Sequence, residues 1–301
     1  MTEFLQQLIN GLALGSILAL IALGYTMVYG ILRFINFAHG DVFMLGAFAG
    51  FYLAPKIALV LPLPSIAGGI AVLVVSMAIC AGLGVLIERF AYRPLRNRPK
   101  LAVLITAIGV SLLIEYAGQF AFGAAPRKFP EILPVTTVTQ IGGLSLNSNQ
   151  VMVLGVTIFL LLALRFIVLK TRIGTAMRAV AFNPEAAALM GVNTDVVISF
   201  TFALGSALAA AAGILWAINY PAIDPLMGIL PGLKAFVAAV LGGIGNLPGA
   251  ALGGLVIGIV ETFVKGTRWS TWADAIAFAI LILILLIKPS GLLGKKEIEK
   301  V

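Results

Sequence analysis

The stretch that decides the fold runs from Phe4 to Leu32 and reads FLQQLINGLALGSILALIALGYTMVYGIL. Its 29 residues include no formally charged side chain. A helix needs about 20 such residues to cross the hydrocarbon core of a bilayer. A secretory leader would have basic residues ahead of a shorter apolar region, but here only the acidic Glu3 lies close ahead and the stretch is too long. We therefore expect a membrane helix that is retained in the protein.

The composition of the whole chain extends this conclusion. Of its 301 residues, 61% are hydrophobic and only 11% are charged. Soluble domains carry roughly 45–50% apolar and about 25% charged residues. So few charged side chains do not cover a water-exposed surface, and most of the chain must face lipid. The sequence therefore predicts a polytopic membrane protein.

Charge-poor stretches divide the chain into predicted spans. They are Leu8–Ile31, Asn36–Ala54, Ser65–Ile87, Leu101–Phe122, Gln150–Leu169, Val196–Asn219, Leu226–Val264 and Trp272–Ile287. The apolar runs are continuous rather than alternating, which favours helices over strands, and a lipid-facing helix satisfies its own backbone hydrogen bonds. The sequence predicts an all-α, polytopic membrane helix bundle of about 8–10 spans with broken helices. We expect residues 1–301 to form a single transmembrane domain.

Basic residues indicate the orientation of these spans. They gather in the segments Arg89–Lys100 and Arg165–Arg178 and in the tail that begins at Lys288. Basic loops stay on the cytoplasmic side, so we expect residues 89–100, 165–196 and 288–301 inside, with the C-terminus cytoplasmic. The outer loop 123–149, the segment 219–232 and the tip 268–271 then lie outside. The charge pattern does not fix the side of the N-terminus.

Side-chain chemistry excludes several classes of protein. The chain has one cysteine, Cys80, and one histidine, His39, which argues against a metal site and against nucleophile–base catalysis. Its net charge of +8 belongs to short loops between spans, which is typical of membrane topology rather than of a nucleic-acid surface. We expect no catalytic residue, no metal and no nucleic-acid partner.

Polar residues, glycines and a proline interrupt the apolar pattern at two places, 35–41 and 242–249. Both stretches should unwind locally, because proline lacks a backbone donor and clustered glycines weaken a helix. Unwound backbone at membrane depth survives only where it is buried or lines a watery path. Such breaks point to a translocation pathway. The candidate pathway residues are Asn36, Phe37, His39, Gly40, Asp41, Gly242, Gly243, Gly245, Asn246 and Pro248.

Each break has a simpler interpretation as well. The second stretch is compatible with a cytoplasmic turn between two short spans, Leu226–Leu241 and Ala250–Val264. For the first stretch, His39 and Asp41 are compatible with interfacial positions at a helix end, where the dipole favours Asp41. A proton relay through these two residues is the weakest alternative, because no chain of intramembrane acids accompanies them. Glu115 lies inside a predicted span, where a charge is usually functional, but its polar neighbours favour a structural position near the outer interface.

A short helix is predicted outside the membrane, within the segment 171–195. Asn183 is a good N-cap, Pro184 suits the first helical position, Glu185 complements the dipole, and Gly191 is a plausible stop. A helix of about seven residues is unstable alone in water, so we expect it to dock on a partner. Its apolar residues Ala187, Leu189 and Met190 would enter a groove on that partner. The alternative is a helix that lies on the bilayer surface.

Four segments resemble a known family. The Glu185-Ala186-Ala187 triplet with Gly191 is similar to the EAA motif of ATP-binding cassette (ABC) importer permeases. The segments Gly15–Phe43, Lys234–Ala250 and Lys288–Gly294 resemble the high-affinity branched-chain amino-acid permeases of the LivH type. The likeness runs over nearly the full length of the chain.

The resemblance implies a permease subunit in a bacterial cytoplasmic membrane. It implies as partners a second homologous permease, two ATP-binding subunits, an extracytoplasmic substrate-binding protein and membrane lipid. It also implies a contact with the ATPase through Arg178, Pro184, Glu185, Ala186, Ala187, Leu189, Met190 and Gly191. The chain lacks the G-x-x-x-x-G-K-[ST] pattern of P-loop proteins, so ATP would be used by the partner subunits and no cofactor by this chain. The implied cargo is leucine, isoleucine or valine, with urea, short amides and other amino acids left open.

Two other classes remain as alternatives. An ion-coupled secondary transporter or channel for a small solute would carry ionisable residues in the middle of several spans, and the sequence shows few. An intramembrane enzyme would need a nucleophile–base or metal-ligand group, which one histidine and one cysteine do not provide.

Overall fold

A computed structural model of the chain describes residues 2–96, 98–134, 137–141 and 144–294. The helices are α1 (Thr2–Leu32), α2 (His39–Ile57), α3 (Ile66–Ile87), α4 (Lys100–Phe122), α5 (Ser148–Lys170), α6 (Arg172–Phe182), α7 (Pro184–Leu189), α8 (Thr194–Asn219), α9 (Ile229–Gly242), α10 (Leu247–Lys265) and α11 (Ala273–Ile287). A π-helical turn at Glu88–Tyr92 and a 3₁₀ turn at Arg93–Leu95 continue α3, and a 3₁₀ turn at Ser270–Trp272 precedes α11.

Short strands occur only in the connections of the described part. β1 (Arg127–Lys128) pairs antiparallel with β4 (Ala222–Ile223), and β2 (Thr137–Ile141) forms a hairpin with β3 (Leu144–Asn147). The fold is therefore an all-α membrane bundle, as predicted. Within the described residues, seven helices are long and apolar enough to cross a membrane. Together with the 19-residue α2 and the 14-residue α9 they fall in the predicted range of spans.

Helix starts follow the polar residues that the sequence provides. Ser65 caps α3 by accepting the Gly68 N–H at 3.0 Å, and Asn193 caps α8 by accepting the Val196 N–H at 3.2 Å. Such side chains satisfy backbone donors that have no partner inside the helix. The spans therefore begin close to their predicted positions. The exception is the predicted span Leu226–Val264, which is two helices, α9 and α10.

The connections gather at two ends of the bundle. The basic end holds residues 89–96, 98–100, 165–196 and 288–294. There Arg96 bonds Asp195 at 2.6 Å and thereby joins the segment around Arg96 to the segment 165–196. The hairpin end holds the four strands, and their β1–β4 pairing joins the loop 123–149 to the segment after α8. Segments that the charge pattern predicts on one side therefore lie together at one end of the bundle. Lys295, Lys296 and Lys300 of the predicted basic tail, and residues 135–136 and 142–143 of the predicted outer loop, lie outside the described residues.

The structure also places the N-terminus, which the charge pattern left open. At the start of α1, the Gln6 side-chain amide donates to the Ser145 carbonyl at 3.1 Å. One turn of helix further along, Asn10 accepts the Gln150 amide at 2.7 Å. Residues 145 and 150 border the β2–β3 hairpin, so α1 begins at the hairpin end.

The helix α1 forms the centre of the bundle. Its apolar window is 94% buried, against 17% for α4 and 11% for the α11 segment, which face outward. Small residues let α10 approach α1 closely: a Cβ on Gly15 would lie 2.8 Å from the Leu255 Cα. Lipid tails are as apolar as leucine, so this close packing, rather than the hydrophobic effect, stabilises the contact.

We predict that Gly15→Ala lowers the free energy of unfolding by about 1–3 kcal/mol, because the added methyl group forces α1 and α10 apart. The matched control is Gly109→Ala in α4, where a Cβ would have no neighbour within 4 Å. Alanine also favours helix over glycine, so the control should be neutral or slightly stabilising. Equilibrium unfolding in mixed micelles measures both, and equal effects of the two variants would contradict the packing argument.

Candidate functional site

The first predicted break lies between α1 and α2. Arg33 has a φ of +53°, which ends α1, and helical structure resumes only at His39. Within the break, the Tyr92 hydroxyl donates to the Asn36 side-chain oxygen, and the His39 N–H donates to the Asn36 carbonyl at 3.1 Å. Asn36 is 6% exposed. The later part of the break, at Asn36 and Ala38, is therefore buried in protein, as its predicted membrane depth requires, whereas Arg33 at its start is exposed. Of the predicted residues in this group, Asn36 and Phe37 lie in the break, whereas His39, Gly40 and Asp41 form the first turn of α2.

The helix α2 starts near the middle of the bundle and runs toward the hairpin end. Its first-turn residue Asp41 accepts the hydroxyl of Ser111, which lies near the middle of α4. Toward its other end, Phe48 stacks on Phe122, the last residue of α4, with ring centroids 4.4 Å apart. A helix that begins at this depth leaves the other half of the span to the irregular segment 33–38. This is a half-helix, the form that lines substrate sites in many transporters.

The second half-helix is α9, and the sequence analysis missed its beginning. After β4 the chain is irregular through residues 224–228, and α9 starts at Ile229. Gly228 and Gly232 lie against Gly40: a Cβ on Gly40 would be 2.8 Å from the Gly228 oxygen and 3.2 Å from the Gly232 Cα. The N-termini of α2 and α9 therefore meet inside the bundle.

The second break at membrane depth therefore lies at residues 224–228, and its predicted position at 242–249 is wrong. The segment 219–232 was predicted to lie outside the membrane, but Gly228 lies at the depth of Gly40. A signal was present, because Asp224-Pro225 and Gly228 are turn-forming residues ahead of an apolar run. The denser glycine cluster at 242–249 was a stronger sequence signal, so the break was predicted there instead.

The predicted residues of the second cluster form a tight turn at the basic end. Gly242 ends α9 and Pro248 lies in the first turn of α10, so only residues 243–246 are unwound. Gly243 and Gly245 have φ values of +101° and +91°, which favour glycine. The structure therefore has the turn between two helices that the simpler interpretation predicts, and it does not bring this cluster to the meeting point at Gly40.

The chain's tail is bonded to this turn. The Leu292 and Leu293 N–H groups donate to the Leu241 and Gly242 carbonyls at 2.8 and 3.0 Å. The Asn246 side-chain amide donates to the Leu293 carbonyl at 2.7 Å, while its oxygen accepts the Gly249 N–H at 3.2 Å. These bonds satisfy carbonyls at the end of α9 that have no partner within the helix.

Polar and aromatic side chains surround the meeting point of the half-helices. Tyr25 of α1 packs edge-on against His39, with ring centroids 4.7 Å apart, and hydrogen-bonds to the backbone of Gly40. His39 is 1% exposed and turns its Nε2 atom toward Gly24. Asp41, 2% exposed, lies in the first turn of α2, where the helix dipole stabilises a negative charge. The interpretation of Asp41 as a helix N-terminal acid is therefore correct, but its position is buried rather than interfacial.

A second acid accompanies Asp41. The Glu115 carboxyl group of α4, one turn along from Ser111, interacts electrostatically with Asp41. Glu115 therefore lies beside the first turn of α2 rather than at the outer interface. One further acid is not a chain of intramembrane acids, so the proton relay stays the weakest alternative. Sequence spacing could not show this contact, because α2 and α4 are brought together only by the fold.

Charged groups of α9, α10 and α11 form a separate network. Lys234 Nζ lies 2.8 Å from the Glu261 carboxylate and 2.5 Å from that of Asp274, and Lys265 Nζ lies 2.6 Å from the same Glu261 oxygen. Lys234 and Glu261 are 6% and 1% exposed. Lys234 therefore neutralises a buried carboxylate.

The predicted coupling segment 171–195 contains α6 and α7. Asn183 caps α7 by accepting the Ala186 N–H at 3.0 Å, and Gly191, with a φ of +84°, follows its end. The Val192 N–H donates to the Ala187 carbonyl and the Gly191 N–H to the Ala188 carbonyl, which together form a Schellman motif. The predicted short helix and both of its caps are therefore present, over six residues.

The side chains of this segment divide into buried and exposed ones. Leu189 and Met190 are 89% and 85% exposed, and Phe182, which the sequence analysis did not select, is 90% exposed. Ala187 is 5% exposed and packs into the chain's own core, so the expectation that it enters a partner's groove is wrong. Arg178 is exposed, and its guanidinium group donates to the Val168 carbonyl in the last turn of α5. Pro184, Glu185 and Ala186 are exposed.

Half-helices that meet inside a polytopic bundle are typical of membrane transport proteins, and the chain is assigned to that class. The family described as "Branched-chain amino acid transport system / permease component" matches residues 7–285 of the chain. The chain is 42% identical to the high-affinity branched-chain amino acid transport system permease protein BraD of Pseudomonas aeruginosa, over 99% of this chain and 98% of that protein. It is also 42% identical to LivH of Escherichia coli, which carries the same description, with the same coverage.

A more distant relative is the probable branched-chain amino acid transport permease protein LivH of Methanocaldococcus jannaschii, at 30% identity over 93% of this chain and 89% of that protein. The chain belongs to this family of permease components.

We predict that Lys234→Met lowers the free energy of unfolding by about 3 kcal/mol, the lower end of the usual cost of breaking a buried ion pair, because Lys265 still contacts Glu261. The double variant Lys234→Met/Glu261→Gln should recover part of this loss, since it leaves no buried charge without a partner. Unfolding measurements on the two single variants and the double variant form the cycle. A double variant less stable than Lys234→Met would contradict the pairing.

Proposed function

We propose that the chain is the membrane-spanning permease subunit of an ATP-driven importer for amino acids, most specifically leucine, isoleucine and valine. Membership of the permease family supports the role as a transport subunit, and the names of the relatives at 42% identity support the substrate class. The partners are a second homologous permease, two ATP-binding subunits and an extracytoplasmic substrate-binding protein. The chain itself performs no catalysis and binds no cofactor.

The proposed pathway passes the meeting point of α2 and α9. Both helices direct the positive ends of their dipoles toward this point, which favours an anionic group such as the carboxylate of an amino acid. Asn36, Phe37, His39, Gly40 and Asp41 belong to this part. The contact between Gly40 and Gly228 is the position where a small relative movement of the two helices opens or closes the path.

The glycine turn belongs to the basic-end mouth of the same pathway. Gly245 lines a cavity of about 120 Å³ with Thr26 and Gly30 of α1 and Arg178 of α6. We place Gly242, Gly243, Asn246 and Pro248 at this mouth with it. The cavity lies between the turn and the coupling segment, so a movement of α6 changes its width.

The basic end faces the cytoplasm of a bacterial cell, with the C-terminus inside. Its loops carry most of the chain's positive charge, and basic loops are retained on the cytoplasmic side. The hairpin end, including the start of α1, then faces the substrate-binding protein.

The observation that carries the proposal is the exposed apolar surface of α7. A helix of six residues, capped at both ends, presents Leu189 and Met190 to solvent outside the bundle. Isolated large apolar side chains at a helix tip gain stability when a partner buries them, by about 1.5–3 kcal/mol each. Because no P-loop occurs in the chain, an ATPase subunit is the partner that supplies energy at this surface. Glu185 and Ala186 lie on the exposed part of the same helix.

We predict that Leu189→Asp and Met190→Asp each abolish ATP-driven uptake of leucine and copurification of the ATPase, while the thermal stability of the chain is unchanged. The reason is that both side chains are exposed and contribute little to the fold. Leu59→Asp is the matched control, because Leu59 is 87% exposed at the hairpin end; this variant should keep both properties. Transport of leucine by the purified chain alone, driven by an ion gradient in liposomes, would favour a secondary transporter instead.

We also predict that Gly40→Ala reduces the rate of leucine uptake at least tenfold, because its methyl group separates the two half-helices and prevents the path from closing. Gly155→Ala on α5, where a Cβ has no neighbour within 4 Å, is the control and should transport normally. The measurement is initial uptake into proteoliposomes that contain the complete transporter. Normal uptake by Gly40→Ala would remove the meeting point from the pathway.

A further inference from the structure

A polar cavity of about 300 Å³ lies at the hairpin end between α1, α5, α8 and α10. It is separate from the meeting point of the half-helices and from the coupling segment. Its lining residues are Asn10, Ala13, Leu14, Ile17, Asn147, Gln150, Asn219, Tyr220, Thr262 and Lys265. Ligand pockets occupy about 300–1,000 Å³, so the cavity has the size for a small solute.

The cavity has an apolar floor and a polar rim. Ala13, Leu14 and Ile17 come from one face of α1 and are at most 6% exposed. The rim is formed by amide side chains and by Tyr220, which is 45% exposed. The Asn219 amide nitrogen already donates to the Leu215 carbonyl at 2.9 Å, which leaves its oxygen to accept a donor from a ligand.

Lys265 supplies the positive charge of the rim. Its side chain is 49% exposed, and its Nζ shares one Glu261 oxygen with Lys234. An ammonium group has three donors, so two of them stay available toward the cavity. Tyr220 interacts electrostatically with Lys265, which places both groups at the same part of the rim. This pair is suited to a carboxylate.

The cavity is closed on the side of the membrane centre. Leu18 and Ile21, which follow the floor residues along α1, are fully buried, and Gly24, about one turn further along, lies against the His39 ring of α2. The same helix therefore forms the floor of the cavity and one wall of the meeting point. A ligand in the cavity is therefore closer to the hairpin end than the closed part of the proposed pathway.

We propose that this cavity binds one aliphatic α-amino acid as a zwitterion, before it enters the pathway. The carboxylate is held by Lys265 and the Tyr220 hydroxyl, the ammonium group by amide oxygens including that of Asn219, and the branched side chain packs on Ala13, Leu14 and Ile17. The inference rests on the proposed function, because it takes the substrate class from there.

The test uses the full chain in lipid nanodiscs, without substrate-binding protein or ATP, and measures equilibrium binding of radiolabelled L-leucine. Trp216 gives a second signal, because its ring packs on Tyr220 with centroids 4.7 Å apart. With Trp269→Phe and Trp272→Phe it is the single tryptophan of the chain. Leucine should change its fluorescence with the same dissociation constant as direct binding.

Three variants locate the site. Lys265→Met should raise the dissociation constant at least tenfold, since a charge-assisted hydrogen bond is lost. Leu14→Phe fills the floor without touching the ion network and should weaken binding comparably, which keeps the test valid if Lys265→Met misfolds. Lys56→Met, which removes an exposed lysine of α2 outside the cavity, is the control and should bind normally.

Two analogues define the ligand chemistry. 4-Methylpentanoate lacks the ammonium group and 3-methylbutylamine lacks the carboxylate, so both should bind at least tenfold more weakly than leucine. Equal binding of 4-methylpentanoate would reduce the cavity to a general anion site and overturn the proposal.

Two further outcomes separate this inference from the proposed function. Absent leucine binding, or binding that neither Lys265→Met nor Leu14→Phe weakens, overturns the inference while ATP-driven leucine uptake by the complete transporter still supports the function. Absent uptake of leucine, isoleucine and valine by the complete transporter overturns the function itself.

Discussion

The structure depends on one constraint, the need of every backbone N–H and C=O group inside the membrane for a partner. Two segments, 33–38 and 224–228, leave helical geometry on the way through the bundle. In lipid each unsatisfied group would cost several kcal/mol, so both segments must lie within protein. The bundle provides this by placing α1 at its centre and by packing Gly228 of the second segment against Gly40. Asn36 illustrates the result, since its carbonyl accepts the His39 N–H at 3.1 Å within the first segment.

Most of the fold, and about half of the candidate site, could be predicted from the sequence. Charge-poor runs gave the spans, because a bilayer sets both their length and their composition. The first break was found because Asn36, His39 and Asp41 interrupt an apolar run at membrane depth. The coupling helix was found because its caps are local, and Asn183 and Gly191 act within a few residues of their own position.

The remaining features depend on which helices are neighbours, and a single sequence does not contain that information. The dense glycines of 242–249 predicted a break at membrane depth. In the fold this segment is instead a turn at the basic end. Asp41 and Glu115 are 74 positions apart and meet only because α2 begins beside the middle of α4. The ion pair of Lys234 with Glu261 likewise joins α9 to the next helix and depends on their packing. Ala187 was assigned to a partner surface because burial within the chain's own core depends on α8.

The bonds between the tail and the α9–α10 turn tie together parts of the chain that a diagram of spans would draw as separate. Hydrogen bonds of Leu292, Leu293 and Asn246 attach the tail, residues 288–294, to the end of the half-helix α9. The other end of α9 touches Gly40. The half-helix, the following span and the tail are therefore held together at the basic end of the bundle. A displacement of this end along the axis of α9 would reach the contact between Gly228 and Gly40, because the 14 residues of α9 connect the two places.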